Sequence, residues 1–497
     1  MKRIYLTLAL LSLFSYARAQ TATDALRYSA FQYGGTARTM GVGNAMSVMG
    51  GDFGVVSINP AGLAVYRGSD LTVSMGFLNV NTTAQLNGNV PYDDRSNKVT
   101  FNNVGLVLAS QPSASSNSRW KTGNFGIGIN RLGDFNRTTY YNGTSPGSIV
   151  TIFKNQIAQG QWDELGSALA YDAEAIYDST VAGKKIYYSD FDGKEGQILT
   201  RYQTIKTVGR VNELAISYAG NFDEKLMVGA TVGVPFVKYD YSNDYGESDN
   251  NGSVPVFNKL SYKNEYKANG TGINLKIGAI YRPIQALRIG LALHTPTTYD
   301  LGETQTADFI YDFTVKSTPK SVEANSTEFE VKYSVNTPLK TMTSVGFLIG
   351  KYGFVSADAE FLDYSKARIR FSTPDSIGQQ RIAELKKYET EINDDIKATY
   401  KKVVNLRIGG EAALDIFRIR AGVNILGSAF QDNTTPRMIY SVGAGLRGEH
   451  IYVDVAYRFE EQTYAYQPYF TSSPSRQPNV DVKTRNNNFV ATLGFRF

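Results

Sequence analysis

The chain contains no cysteine, only two histidines and two tryptophans, and no apolar run long enough to cross a membrane as a helix. Each shortage removes a class of explanation. Without cysteine there is neither a disulfide framework nor a thiolate metal site. His294 and His450, far apart in sequence, do not amount to a multi-histidine metal centre, so no metal and no cofactor is expected. A helical span needs about 20 apolar residues, and the stretch from Ile4 to Phe14 falls short of that. Membrane residence, if any, must therefore come from strands.

That first apolar stretch has another reading. It follows Lys2 and Arg3 and precedes Ala17-Arg18-Ala19, the order of charge, apolar core and small residues found in secretory signals. Residues 1–19 are expected to be a signal peptide. Removing Lys2, Arg3 and Arg18 with it lowers the basic count from 51 to 48, against 46 acidic residues, so nucleic-acid binding has no electrostatic support.

What the chain does have is 33 tyrosines, 26 phenylalanines and 46 glycines, together with clean alternation near its C-terminus. In VVNLRIGGEAAL, Val404, Leu406, Ile408 and Ala412 oppose Asn405, Arg407 and Glu411; in IFRIRAGVNIL, Phe417, Ile419, Ala421 and Val423 oppose Arg418, Arg420 and Asn424. IYVDVAYRF and the terminal NFVATLGFRF repeat the pattern, and the chain ends on Phe497. Period two with one apolar face signals strands. A soluble sandwich would alternate in the same way, but many such segments with abundant aromatics and a terminal phenylalanine point to a transmembrane β-barrel.

Parity sharpens this, because such barrels usually have an even number of strands, with short turns at one end and long loops at the other. Fourteen segments are predicted, at about 71–80, 98–109, 123–132, 203–219, 225–241, 257–281, 286–301, 327–349, 353–371, 402–414, 416–429, 437–447, 450–461 and 487–497. This requires TADFIYDFTVK (306–316) to belong to a loop, and it puts long connections after strands 1, 3, 5, 7, 9 and 13. Two of these loops read as helical. One runs from Ile377 through Ile382, Leu385, Tyr388, Ile392 and Ile396 to Tyr400; the other carries Ile152, Phe153, Ile157, Trp162, Leu165 and Leu169. These apolar faces either pack on the barrel rim or line an entrance for a greasy ligand.

The remaining feature is the stretch before the first strand, GGTARTMGVGNAMSVMGGDFGVVSINPAGLAVYRGSDL, from Gly34 to Leu71. Its Asn59-Pro60-Ala61-Gly62 turn is locally sensible, since Pro60 fixes its own φ and Gly62 tolerates a positive one. With YRPIQALRIGLALHTPTTYDL (281–301) and the alternating stretch from Asn405 to Phe459, this order of segments resembles the FadL/TodX family of outer-membrane transporters for hydrophobic compounds. The resemblance implies that residues 20–69 form a hatch inside a barrel of residues 70–497, with Asn59, Pro60, Ala61 and Gly62 as its motif. It also implies capture at an outer apolar site, for which Ile152, Phe153, Ile157, Trp162 and Leu165 are candidates. Lateral exit at a kinked third strand would follow, with Gly126 and Gly128 as the candidate gate; these glycines equally suit a wall making room for the hatch.

Other chemistry is weaker. GAGLRG (443–448) matches G-x-G-x-x-G but is followed by a strand, where a dinucleotide site requires a helix. His294 lies on the inward parity with Arg288, as a hydrogen-bonding group of the lumen, and no hydrolase motif accompanies it. Arg407, Arg418, Arg420 and Arg447 also point inward, where they either pair with Glu411 and Asp454 to hold the hatch or bind a ligand carboxylate. The expectation is an all-β, fourteen-stranded, non-enzymatic and monomeric barrel of the cell outer membrane, in contact with its lipid. It would pass hydrophobic small molecules, long-chain fatty acids among them; the alternative is a barrel that docks secreted protein partners on its outer loops.

Overall fold

In β1 (Asp70–Leu86), Leu71, Val73, Met75 and Phe77 are exposed, whereas Asp70, Thr72 and Ser74 are buried. That inversion of the usual order, apolar out and small polar in, organises the whole wall. It is seen in a computed structural model that describes residues 22–113, 115–372, 379–471, 473 and 476–497. The expected signal peptide, residues 1–19, and Ile377 lie outside the described residues.

After β1 the wall continues with β2 (Tyr92–Ser110), β3 (Trp120–Asp134, then Arg137–Pro146), β4 (Ile198–Phe222), β5 (Leu226–Ser248) and β6 (Phe257–Tyr281). β7 (Leu287–His294, then Thr298–Val315), β8 (Phe329–Asn336, then Lys340–Leu348) and β9 (Gly353–Asp363, then Arg368–Phe371) follow, each in two pieces. β10 (Lys402–Leu414), β11 (Phe417–Leu426), β12 (Arg437–Arg447), β13 (Ile451–Tyr466) and β14 (Val480–Arg496) complete it. Neighbours are antiparallel throughout, and β14 pairs with β1 from Asp70↔Arg496 to Leu86↔Val480, which closes the barrel and removes its edges.

All fourteen segments expected from alternation are wall strands, but two expectations about their ends are corrected. Residues 306–315 are not loop: they carry β7 beyond the membrane belt, pairing with β6 and with an added strand, Thr318–Asn325. The connection after β1 is short, residues 87–91, because β1 and β2 also run on past the belt. Along the extension of β1 the outward residues turn polar, as in Asn79, Asn81 and Thr83, so the apolar face used to find that strand stops before the strand does; residues 306–315 keep their alternation, with Ala307, Phe309, Tyr311 and Phe313 buried.

The belt itself spans about nine residues per strand. At 3.3 Å per residue and a 45° tilt it is roughly 20 Å tall, a little under the apolar band of about 25 Å of an outer-membrane-type barrel. Prolines mark its upper edge. Pro296 and Pro338 cannot donate to the ladder, and both β7 and β8 break there; Thr337 N donates to Thr297 O (3.0 Å), so the two breaks stay in register. Above the belt, the β3–β4 loop carries α1 (Ile149–Ala158) and α2 (Ser167–Asp172), and the β9–β10 loop carries α3 (Gln379–Thr399).

Candidate functional site: the plug, its seat and a seam in the wall

Residues 22–66 pack inside the barrel, and Arg67 and Gly68 are exposed where the chain enters β1. Three short helical pieces are each set by a capping side chain, which satisfies the free N–H groups of the first turn. Thr36 caps Ala37–Gly41, Asp52 caps Phe53–Ser57, and Asn59 caps Pro60–Val65 by accepting from Ala61 N at 3.1 Å. Pro60 stands where its missing N–H costs nothing. The four-residue turn thus reverses the chain just before β1 and presents Asn59 and Pro60 to the wall. There the strands supply glycine: a Cβ at Gly278 would lie 1.9 Å from Asn59 Oδ1, and one at Gly229 would lie 2.7 Å from the Pro60 carbonyl.

A second seat receives Phe53. Its ring is fully buried against Gly105, Gly126 and Gly128, where added Cβ atoms would come within 2.2, 3.4 and 2.7 Å of it. Gly126 and Gly128 lie in an unbroken part of β3, paired with β2 at Val107 and Gly105 and with β4 at Ser217 and Ala215. The interruption of β3 is elsewhere, at Phe135 and Asn136.

Polar pairs hold the plug around its circumference. Ser47 meets Ser344 and Asp358, Ser57 donates to Glu213 (2.8 Å), Arg288 donates to Met49 O (2.6 Å), and Tyr33 donates to Glu360 (3.2 Å). His294 Nε2 is 2.7 Å from Ile58 O, the hydrogen-bonding role expected of it. The inward arginines join this set. Arg407 pairs with Glu360 (3.1 Å); Arg420 bridges Glu411 (2.6 Å) and Asp454 (2.7 Å), Arg447 shares Asp454 (2.8 Å), and Arg38 of the plug reaches Glu411 (3.1 Å). Arg418 instead donates to the carbonyls of Asp415 and Phe417 at a short turn.

The wall is incomplete beside the plug. The β2–β3 ladder runs from Ser110↔Gly123 to Asn103↔Asn130 and stops; among the described residues no ladder joins 92–102 to Arg137–Pro146. At its outer end this seam is spanned by Asn89, which donates to Thr144 O (2.9 Å), and by the edge-on rings of Tyr92 and Tyr140. On its inner side the plug substitutes for the missing strand: Gly34 N donates to Arg131 O at 3.0 Å, and a Cβ on Gly34 would fall 2.4 Å from that oxygen. The sequence signalled this only as a glycine pair before a polar stretch.

Two apolar clusters lie above. Phe153 and Ile157 are buried in one, with Phe153 edge-on to Tyr262 and Phe309; Ile152, Trp162 and Leu165 are partly buried at its margin, and Trp162 stacks edge-on to Tyr171 and Tyr187. In the other, Tyr388, Ile392 and Ile396 of α3 descend onto the start of the plug, where Tyr400 donates to Ala22 O (2.9 Å). Arg27 lies below that point, its guanidinium 4.2 Å above the Tyr239 ring. The spacing of α3 showed its apolar face but not that the face enters the barrel mouth.

These features define a transmembrane β-barrel closed by its own N-terminal segment. The same fold occurs in a Pseudomonas aeruginosa FadL homologue, at 11% identity and a TM-score of 0.56, with 94% of this chain and 100% of that chain aligned. It occurs also in a deltaS2S3 mutant of the monoaromatic hydrocarbon channel TodX, at 12% identity and a TM-score of 0.52, over 94% and 99% of the two chains. No protein-family model and no curated protein sequence matches the chain.

Proposed function

We propose that this protein lets small hydrophobic molecules cross the outer membrane by passive diffusion, leaving the lumen sideways through the β2–β3 seam. The observation that carries the reading is the seam itself: a stretch of wall with no strand ladder, spanned by a plug backbone bond on its inner side and by Asn89 and the Tyr92–Tyr140 rings at its outer end, with the outward Val99 and Phe101 at its lower, lipid-side end and the partly buried Phe31 ring beside it. A polar solute would have no reason to leave into lipid, whereas an apolar one gains roughly 25 cal/mol per Å² of surface kept from water. The outer cluster around Ile152, Phe153, Ile157, Trp162 and Leu165 would collect the molecule, and movement of the 20–69 hatch would release it. The fold shared with a FadL homologue and with a monoaromatic hydrocarbon channel supports the same class of cargo; long-chain fatty acids and monoaromatics are the two candidates to test.

The absence of cysteine gives a clean experiment. Ser47 on the plug and Ser344 on β8 are in side-chain contact, so S47C/S344C forms a disulfide that tethers the plug to the wall. In cells lacking other uptake routes, labelled oleate or toluene is expected to enter with the reduced variant and not with the oxidised one. Equal uptake in both states would rule out hatch movement, and no uptake by the untethered protein would turn attention to docking of secreted partners.

A further inference from the structure

The outer wall carries a cleft that transport through the lumen does not use. It is lined by Ile129 of β3, Arg210 and Asn212 of β4, and Phe236 and Lys238 of β5, with a volume of about 260 Å³. Burial alternation along β4 and β5 places Arg210, Asn212, Phe236 and Lys238 on the outward, membrane side of the barrel. The cleft straddles the upper edge of the belt. Below it the outward residues are apolar, Ile216 and Tyr218 on β4 and Val232 on β5; from Asn212 and Lys238 upward they are mostly polar, Val208 being an exception. Pro235 explains the local relief. It cannot donate, and the β5–β6 ladder skips Val234 and Pro235 between Gly233↔Asn274 and Phe236↔Thr271.

Arg210 and Lys238 are direct cross-strand partners. Two cations in that position repel, and like charges directly opposite weaken a sheet. Two carboxylates lie nearby without neutralising the pair: Asp134 is Arg210's neighbour on β3 but makes its ion pair with Arg131, Asp240 reaches Lys238 at 3.6 Å, and Arg210 makes no ion pair among the described residues. Lys267 faces Asp240 on the next strand and adds a further cation to the row. An anion that sits between Arg210 and Lys238, with an apolar body extending down past Phe236 and Ile129, would satisfy charge and shape together.

We infer that this cleft binds the phosphate of a phosphorylated membrane lipid in the leaflet on the long-loop side, with the lipid's acyl chain against Phe236 and Ile129. The inference depends on the orientation of the belt and not on the transport reading.

The test uses the full-length protein in a neutral detergent, with native mass spectrometry counting bound lipid. Phosphatidylglycerol is expected to bind at least tenfold more tightly than phosphatidylcholine of the same chain length. R210Q/K238Q should abolish that preference, and R485Q, four strands away on β14, should leave it intact. In lipid-free detergent R210Q alone is expected to keep or raise the melting temperature, because it removes the repulsion; phosphatidylglycerol should then raise the melting temperature of the wild type more than that of R210Q. A preference that survives R210Q/K238Q, or equal binding of the two lipids, overturns the site. Displacement of the lipid by soluble glycerol phosphate would assign it to free anions instead of lipid. Should the double variant fail to fold, R210Q and K238Q singly carry the same comparison.

Discussion

Replacing Phe53 by alanine tests whether the plug is held by its seat in the wall. The ring is fully buried among Gly105, Gly126 and Gly128, and emptying such a site costs about 3–5 kcal/mol. The strands themselves do not depend on it, so the loss should fall on the plug alone. At about 1.4 kcal/mol per factor of ten, amide hydrogen exchange across residues 34–66 should accelerate on the order of 10²- to several times 10³-fold, with β10 to β14 unchanged. The glycines supply the decisive control. A Cβ at Gly105 would lie 2.2 Å from Phe53 Cγ, so Gly105→Ala alone should overpack the seat and cost about 1–3 kcal/mol. In the Phe53→Ala background the same methyl enters vacated space and should cost little. Strict additivity of the two substitutions, or unchanged exchange in Phe53→Ala, would refute the idea that these glycines exist to receive the ring.

Asp454→Asn removes the charge shared by Arg420 and Arg447, and loss of one partner from a buried ionic set typically costs about 3–5 kcal/mol; faster exchange in Ala37–Gly41 would report it, and an unchanged rate would count against an anchoring role. In the β3–β4 loop, burial pushes the Asp163 carboxyl up to about 6, against one opposing hydrogen bond from Leu165 N. Between pH 4 and 6 the folded loop therefore binds more protons than the unfolded one, so its stability falls as pH rises through that window. Limited proteolysis within 147–197 should be slower at pH 5 than at pH 7.5, and Asp163→Asn should abolish the difference.

The sequence by itself determined the wall. A barrel strand is recognised by its local alternation, and the belt residues, from Leu71 to Phe495, follow it because lipid selects every second side chain independently of what lies across the barrel. The inward parity of Arg407, Arg420 and His294 comes from the same rule, and the count of fourteen from the even strand number and the alternation of short turns with long loops. So does the capped Asn59-Pro60 turn, whose chemistry is confined to four residues. The ends of β1 and β2 were not legible, since beyond the lipid no such selection acts; residues 306–315 do alternate, and the even-count rule is what put them in a loop.

Only the tertiary structure decided which inward groups meet. That Arg38 finds Glu411 373 positions away, that Gly34 completes β3 where β2 departs, and that α3 folds down onto Ala22 all depend on distances across the lumen. Glycine shows the division most clearly. The sequence displays Gly105, Gly126 and Gly128 as three missing side chains; the β2–β3 ladder sets them side by side, and only the plug folding back into the lumen brings Phe53 against them.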